Sequence, residues 1–125
     1  MYGATHRATT RRWLILHEVA GERTRQEQLK AEGKFDFTAA DAPHLAASAI
    51  LTEEVGEAAR EALALAGIVR ETGDVTRLRK ELIQVAAVAV AWVEKIDAET
   101  RTSRAPGGTS VQREILRELH PGADF

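Results

Sequence analysis

The sequence predicts an all-α protein, a compact bundle of about four helices that assembles as an oligomer. Three observations lead there. Ala, Leu, Glu, Arg and Gln dominate the 125 residues, and these are strong helix formers. No run alternates β-branched and polar residues for long enough to make a strand. The chain holds 22 alanines against 29 Leu, Ile, Val or Phe residues. Such a core is thin and Ala-rich, and a small core gains by burial against a second copy.

The elements follow in order. The first helix is predicted from about Arg11 to Glu32, with Thr9 or Thr10 as cap and Gly33 as stop. Trp13, Leu16, Ala20 and Leu29 make one apolar stripe, while Glu22 to Gln28 is polar all round and reads as exposed or as the wall of a polar cleft. The segment Gly33 to Asp41 is a loop whose Phe35 and Phe37 dock on the bundle. The second helix runs from about Ala42 to Ala66, capped by Asp41, with Gly67 or Gly73 at its exit. Asp74 caps a third helix that ends near Ala98. A linker, Thr100 to Gly108, precedes a short helix from about Ser110 to Leu119, opened by a capping box at Thr109 and Gln112 and stopped by Pro121. Residues 1–99 therefore read as one helical domain, and 100–125 as a linker plus a short helix.

Composition excludes several classes. There are 17 basic and 19 acidic side chains, so the net charge of −2 gives no basic footprint for nucleic acid or an anionic membrane. With no cysteine there is no disulfide framework, zinc knuckle or thiol nucleophile. The first residues lack the apolar core of a signal peptide. The longest apolar run, Leu82 to Val93, is broken by Gln84 and is too short for the ~20 residues that cross a bilayer. The expectation is a soluble, cytoplasmic protein. The same run is apolar on more than one face, which points to burial and to a homodimer or homotetramer, with Gly56, Ala86, Ala87 and Ala89 allowing close helix approach.

Chemistry concentrates on two helices. Glu53, Glu57 and Glu61 form an i, i+4 row, with Glu54 three residues before Glu57. Like charges in such a row cost about 0.2–0.5 kcal/mol per pair, a cost that a bound cation reverses. Glu81 and Gln84 are i, i+3 on the next helix, where Gln84 interrupts apolar sequence and needs partners if buried. Placed antiparallel, the helices bring these polar pairs together. Carboxylate and amide oxygens suit Mg²⁺ or Mn²⁺ rather than zinc. A glutamate string on an Ala-rich helix is also the ordinary pattern of a solvated face. Arg60 stands three residues after Glu57, and Arg77 four before Glu81, as neutralising partners. Gln84 has the further options of a backbone carbonyl or a twin across a dimer interface.

The stretch Ile50-Leu51-Thr52-Glu53-Glu54-Val55-Gly56-Glu57-Ala58, followed by Lys80-Glu81-Leu82-Ile83-Gln84-Val85-Ala86, resembles the MazG-like nucleoside triphosphate pyrophosphohydrolases. That all-α family carries E-E-x-x-E and then E-x-x-D. Here 23 residues separate Glu57 from Glu81, within the family's spacing. The likeness covers about Ala46 to Val93, and Glu22 to Gln26 looks like part of the first helix of small phage and bacterial members.

The resemblance implies Mg²⁺-dependent hydrolysis of a (deoxy)nucleoside triphosphate to monophosphate and pyrophosphate. It maps metal ligands onto Glu54, Glu57, Glu81 and Gln84, and gives Glu53 or Glu54 the role of general base. Gln84 departs from the family's Asp. It offers one neutral oxygen, removes a charge and cannot act as a base. A non-catalytic member that binds a nucleotide or a protein partner is therefore the alternative. Arg23, Gln26 and Lys30 are the substrate-contact candidates, with Arg25 and Lys34 nearby. Trp13, Phe35, Phe37 and Trp92 read first as core and second as stacking platforms. The four histidines are scattered and receive no role.

Overall fold

The computed structural model describes residues 2–102, 110–119 and 122, with the side chains of 2–5, 102 and 110–113 left aside. The described residues are helical with no strand, in the order α1 (Tyr2–Ala31), α2 (His44–Leu65), α3 (Val75–Thr102) and α4 (Ser110–Leu119). No helix among them is long and apolar enough to cross a membrane. The chain divides into two compact units, Met1–Lys95 and Ile96–Phe125. The first holds α1, α2 and most of α3. The second holds the end of α3 and all of α4, on which Ile115, Leu116 and Leu119 are exposed.

Helix α1 starts earlier than its sequence pattern indicated. Thr9 and Thr10 lie inside the helix rather than capping it, and the Thr10 hydroxyl donates to the His6 carbonyl one turn back. That local bond satisfies the hydroxyl within a helix, so a threonine need not mark a start. The stop is as expected. Gly33 has φ +87°, its N–H donates to the Lys30 carbonyl at 3.0 Å, and the Lys34 N–H donates to the Leu29 carbonyl at 3.0 Å. This is the Schellman pattern, which needs a left-handed residue just past the helix.

Helix α2 begins at His44 with Pro43 before it, and no side chain caps it, so Asp41 does not serve as the cap. Its exit repeats the α1 device at Gly67, φ +72°. Gly73 has a different role. A Cβ there would lie 2.4 Å from the Leu65 backbone nitrogen, so the connection turns tightly over the end of α2. Asp74 caps α3 as expected, accepting the Thr76 N–H at 2.8 Å. Helix α3 continues to Thr102, past its expected end. Helix α4 has the expected bounds, while Thr109 and Pro121 lie outside the described residues, as does the Gln112 side chain.

The core of the first unit is built from small side chains. Val19, Ala47, Ala58, Ala87, Val88 and Ala91 are its buried apolar residues, and no large side chain is fully buried. This is the Ala-rich core that the composition predicted. Trp13 is not part of it, being 61% exposed, and Leu16 is exposed as well. The inward stripe of α1 lies instead at Val19 and Arg23, with half-buried Gln26 and Lys30 further along. Gly56 is exposed with nothing within 4 Å of its Cβ position, so it serves no close approach within the chain.

Two buried cations complete the unit. The Arg23 guanidinium donates to Gln26, Glu27 and Glu94, which joins α1 to α3. Lys95, 3% exposed, donates to the Ala39 carbonyl at 2.8 Å and anchors the 33–43 loop on α3. Asp36 holds the same loop from within, accepting both the Thr38 N–H and hydroxyl. Trp92 is half-buried, and its indole N–H donates to Nδ1 of His44 at 2.9 Å, pinning the start of α2 to α3.

A candidate metal centre beside a mixed pocket

Helices α2 and α3 bring three glutamates together. Carboxylate oxygens of Glu54, Glu57 and Glu81 lie within 4.8 Å of one another. Glu54 and Glu57 share a face because they are three residues apart, and Glu81 faces them from α3. Glu54 and Glu81 are half-buried and Glu57 is exposed. Glu53 is exposed outside the triad, near enough for its charge to bear on Glu54.

Gln84 closes the cluster. With its amide nitrogen turned inward, it donates to Glu54 at 3.2 Å and to Glu81 at 3.0 Å. That orientation satisfies both ends of the amide, whereas the reverse would set its oxygen against carboxylate oxygens.

The electrostatics follow from this crowding. Burial pushes the Glu54 carboxyl above its ordinary value, and Glu57, Glu81, Glu53 and Glu22 push it further by repulsion. Burial also raises Glu81, helped by its hydrogen bond and repulsion with Glu57, against an opposing pull from Lys80. Neither arginine pairs with the glutamate expected of it, Glu57 for Arg60 and Glu81 for Arg77. Arg60 pairs with Glu71, in the α2–α3 connection. Arg77 reaches Glu61 at 3.3 Å and the Thr72 carbonyl at 2.7 Å, and Glu61 also accepts the Asp74 N–H. Glu61 thus belongs to the start of α3, while the triad has no arginine partner among the described residues.

A pocket of about 260 Å³ opens beside the cluster, with Glu54 and Gln84 in its wall. Leu29, Ile50 and Val88 give it an apolar floor, and Phe35 and Phe37 face it from the anchored loop. Phe37 is half-buried as expected of a docked ring, but Phe35 stays 71% exposed. The polar half of α1 supplies Glu22, Arg23, Arg25, Gln26 and Lys30 to the same pocket, but the surface of the pocket is mostly apolar, so it is not the polar cleft expected.

All three substrate-contact candidates line this pocket, and each already has bonds within the chain. Arg23 is held by Glu27 and Glu94, and Gln26 accepts from Arg23 at 2.9 Å. Lys30 meets Glu27 at 2.7 Å and donates to Thr38 at 2.9 Å. Arg25 pairs with Glu22 at 2.6 Å and also feels the charge of Glu54. Lys34 lines the pocket with an exposed side chain and has no carboxylate partner among the described residues. Sequence reasoning missed Thr38 and Lys95. The one available signal was a lysine, Lys95, two residues after the apolar run of α3 ends at Val93.

The chain matches no protein-family model, curated protein or solved structure. The MazG-like resemblance therefore stands on the residues of α2 and α3.

Proposed function

We propose that the chain is a Mg²⁺-dependent nucleoside triphosphate pyrophosphohydrolase, MazG-like in fold and reaction. The observation that carries this reading is the Glu54–Glu57–Glu81 triad, without an arginine partner among the described residues, beside a pocket with phenylalanines and cations. The donor set fits the ion. Three carboxylates within 4.8 Å repel one another, and a hard divalent cation bound by oxygen removes that repulsion. Mn²⁺ suits the same ligands.

Glu54, Glu57 and Glu81 would hold the ion, and Gln84 would offer its amide oxygen after its nitrogen turned away. An ion held there would supply charge neutralisation for a triphosphate and Lewis acidity at its α-phosphate. The chain's residues divide the remaining work. An acidic cluster cannot hold a phosphate chain alone, so Lys34 and Arg25 at the pocket rim supply positive charge. Phe35 and Phe37 offer faces for a base to stack on. Glu53, exposed and outside the triad, would take a proton from an attacking water, with Glu54 as the other candidate.

Gln84 favours a second reading. Its amide already satisfies Glu54 and Glu81 without a metal, so a non-catalytic protein that binds a nucleotide is consistent with the same geometry. The experiment is pyrophosphate release from a panel of NTPs and dNTPs with Mg²⁺ or Mn²⁺, run beside Glu81→Ala. Release that needs metal and disappears in the variant supports the enzyme. Nucleotide binding without release selects the second reading, and neither binding nor release defeats both.

A further inference from the structure

Gln26 stands in the pocket wall between the acidic cluster and the phenylalanine loop. One turn before it on α1 is Glu22, near enough for its charge to bear on Glu54. One turn after it is Lys30, which donates to Thr38 beside Phe37. The Gln26 side chain is half-buried, and the two ends of its amide are not equivalent. Its oxygen accepts from Nη1 of Arg23 at 2.9 Å. Arginine has donors and no acceptor, so turning the amide over would set N–H against N–H. The guanidinium is itself fixed, because Glu27 on α1 and Glu94 on α3 hold it. The amide nitrogen of Gln26 has no hydrogen-bond partner among the described residues. What Gln26 offers the pocket is therefore a neutral N–H donor of fixed orientation.

The rest of the wall has the same bias. Arg25, Lys30 and Lys34 bring further donors. The side-chain acceptors are engaged. Both oxygens of Glu22 accept from Arg25, and the Thr38 hydroxyl accepts from Lys30 and gives its hydrogen to Asp36. Glu54 belongs to the glutamate triad. Leu29, Phe37, Ile50 and Val88 supply apolar surface around these groups. Such a wall suits a base rich in carbonyl oxygens and poor in N–H. Uracil and thymine carry two carbonyls against a single N–H. Cytosine, adenine and guanine each carry an exocyclic amino group, which is costly to bury without an acceptor. We propose that Gln26 selects for uracil or thymine nucleotides, its amide N–H donating to a base carbonyl from a wall with no acceptor to spare for an amino group. This rests on the nucleotide binding proposed above, and it holds whether or not the bound nucleotide is cleaved.

The test is equilibrium titration of wild type, Gln26→Glu and Gln26→Leu, in Mg²⁺, with the α,β-imido analogues of dUTP, dTTP, dCTP, dATP and dGTP. These bind as triphosphates and resist cleavage between the α- and β-phosphates. The wild type is expected to bind the uracil and thymine analogues at least tenfold more tightly than the other three. Gln26→Glu leaves Arg23 an oxygen to hold and replaces the pocket donor with an acceptor. The ratio of uracil to cytosine affinity should then fall at least tenfold, whatever the added charge does to both. Gln26→Leu should reduce the same ratio without reversing it. Circular dichroism checks that the variants are folded, and if neither is, the wild-type ranking alone decides. A wild type that prefers an amino-bearing base, or a ratio unchanged in the folded variants, overturns the proposal and leaves nucleotide binding standing. Failure of the wild type to bind any analogue overturns it together with the proposed function.

Discussion

The amide of Gln84 on α3 donates to the carboxylate of Glu54 on α2 across 3.2 Å, and to Glu81 on its own helix at 3.0 Å. A carboxylate at position 84 would face two others at those distances. Glutamine thus converts a repulsive contact between helices into an attractive one when no cation is present. The same amide has to turn before its oxygen can serve a metal. In the proposed metal centre, stability without the ion would be set against affinity for it at this residue.

Gln84→Asp tests that opposition. A fourth carboxylate should lower the melting temperature in EDTA and enlarge the rise produced by Mg²⁺, because a ligand that binds only the folded state stabilises it. Thermal melts with and without 10 mM-scale Mg²⁺ read both effects. An unchanged Mg²⁺ response would place residue 84 outside the metal's reach.

The pH dependence of the metal-free protein follows from the same cluster. Glu54 and Glu81 are held above their ordinary value, by burial first and by neighbouring carboxylates next. The folded protein therefore retains protons that the unfolded chain has released. Their contribution is fully present below the ordinary glutamate pKa of about 4.3 and is lost as pH rises through the raised folded values. Mg²⁺ competes with those protons, so its stabilising effect should grow over the same window. Melting curves from about pH 4 to 8, in EDTA and in Mg²⁺, should diverge as pH rises. Parallel curves would contradict the assignment.

Arg23 and Lys34 line the same pocket but differ in their bonds. Arg23 is 7% exposed and joins Glu27 and Glu94, so Arg23→Ala should cost about 1–3 kcal/mol of stability, the scale of a lost charged hydrogen-bond set. Lys34→Ala should leave stability within about 0.5 kcal/mol and weaken nucleotide binding. Denaturant unfolding and nucleotide titration separate the two effects. The reverse pattern would mean that Arg23, not Lys34, serves the ligand.

Two glycines give opposite expectations. Gly73→Ala pushes a Cβ to 2.4 Å from the Leu65 nitrogen, so it should destabilise by about 1–3 kcal/mol. Gly56 stands in α2 with open space around its Cβ position, so Gly56→Ala should stabilise by roughly 0.5–1 kcal/mol. Urea midpoints for both variants check the signs. A loss at Gly56 would show that something outside this chain packs there.

Much of this architecture was legible because local chemistry fixes it. Gly33, Gly67 and Asp74 sit where helix ends need a left-handed residue or a side-chain acceptor, and each performs that task. Helical spacing puts Glu54 beside Glu57 and Glu81 beside Gln84, but it did not say which members of the α2 row meet α3, and that set came from the MazG-like resemblance. The start of α1 was not legible, since Thr9 and Thr10 carry the residue type of a cap yet lie inside the helix, where the Thr10 hydroxyl bonds the carbonyl one turn back. Trp13 was misread for a related reason. Periodicity places it on a stripe with Leu16, but only three dimensions show that the bundle begins at Val19. Arg60 and Arg77 have suitable helical spacing to Glu57 and Glu81, yet the tight connection after α2 offers them Glu71, Glu61 and the Thr72 carbonyl. Lys95 and the loop that it anchors depend on contacts 56 residues apart, which no local pattern encodes.

The most direct test of the metal centre is isothermal titration of the EDTA-treated protein with Mg²⁺ and with Mn²⁺, on wild type, Glu57→Ala and Glu81→Ala, with folding checked by circular dichroism. The wild type should bind saturably, and each folded variant should lose at least tenfold in affinity. A folded variant that binds with wild-type affinity would contradict the assignment, because the ion would then be held somewhere other than between α2 and α3.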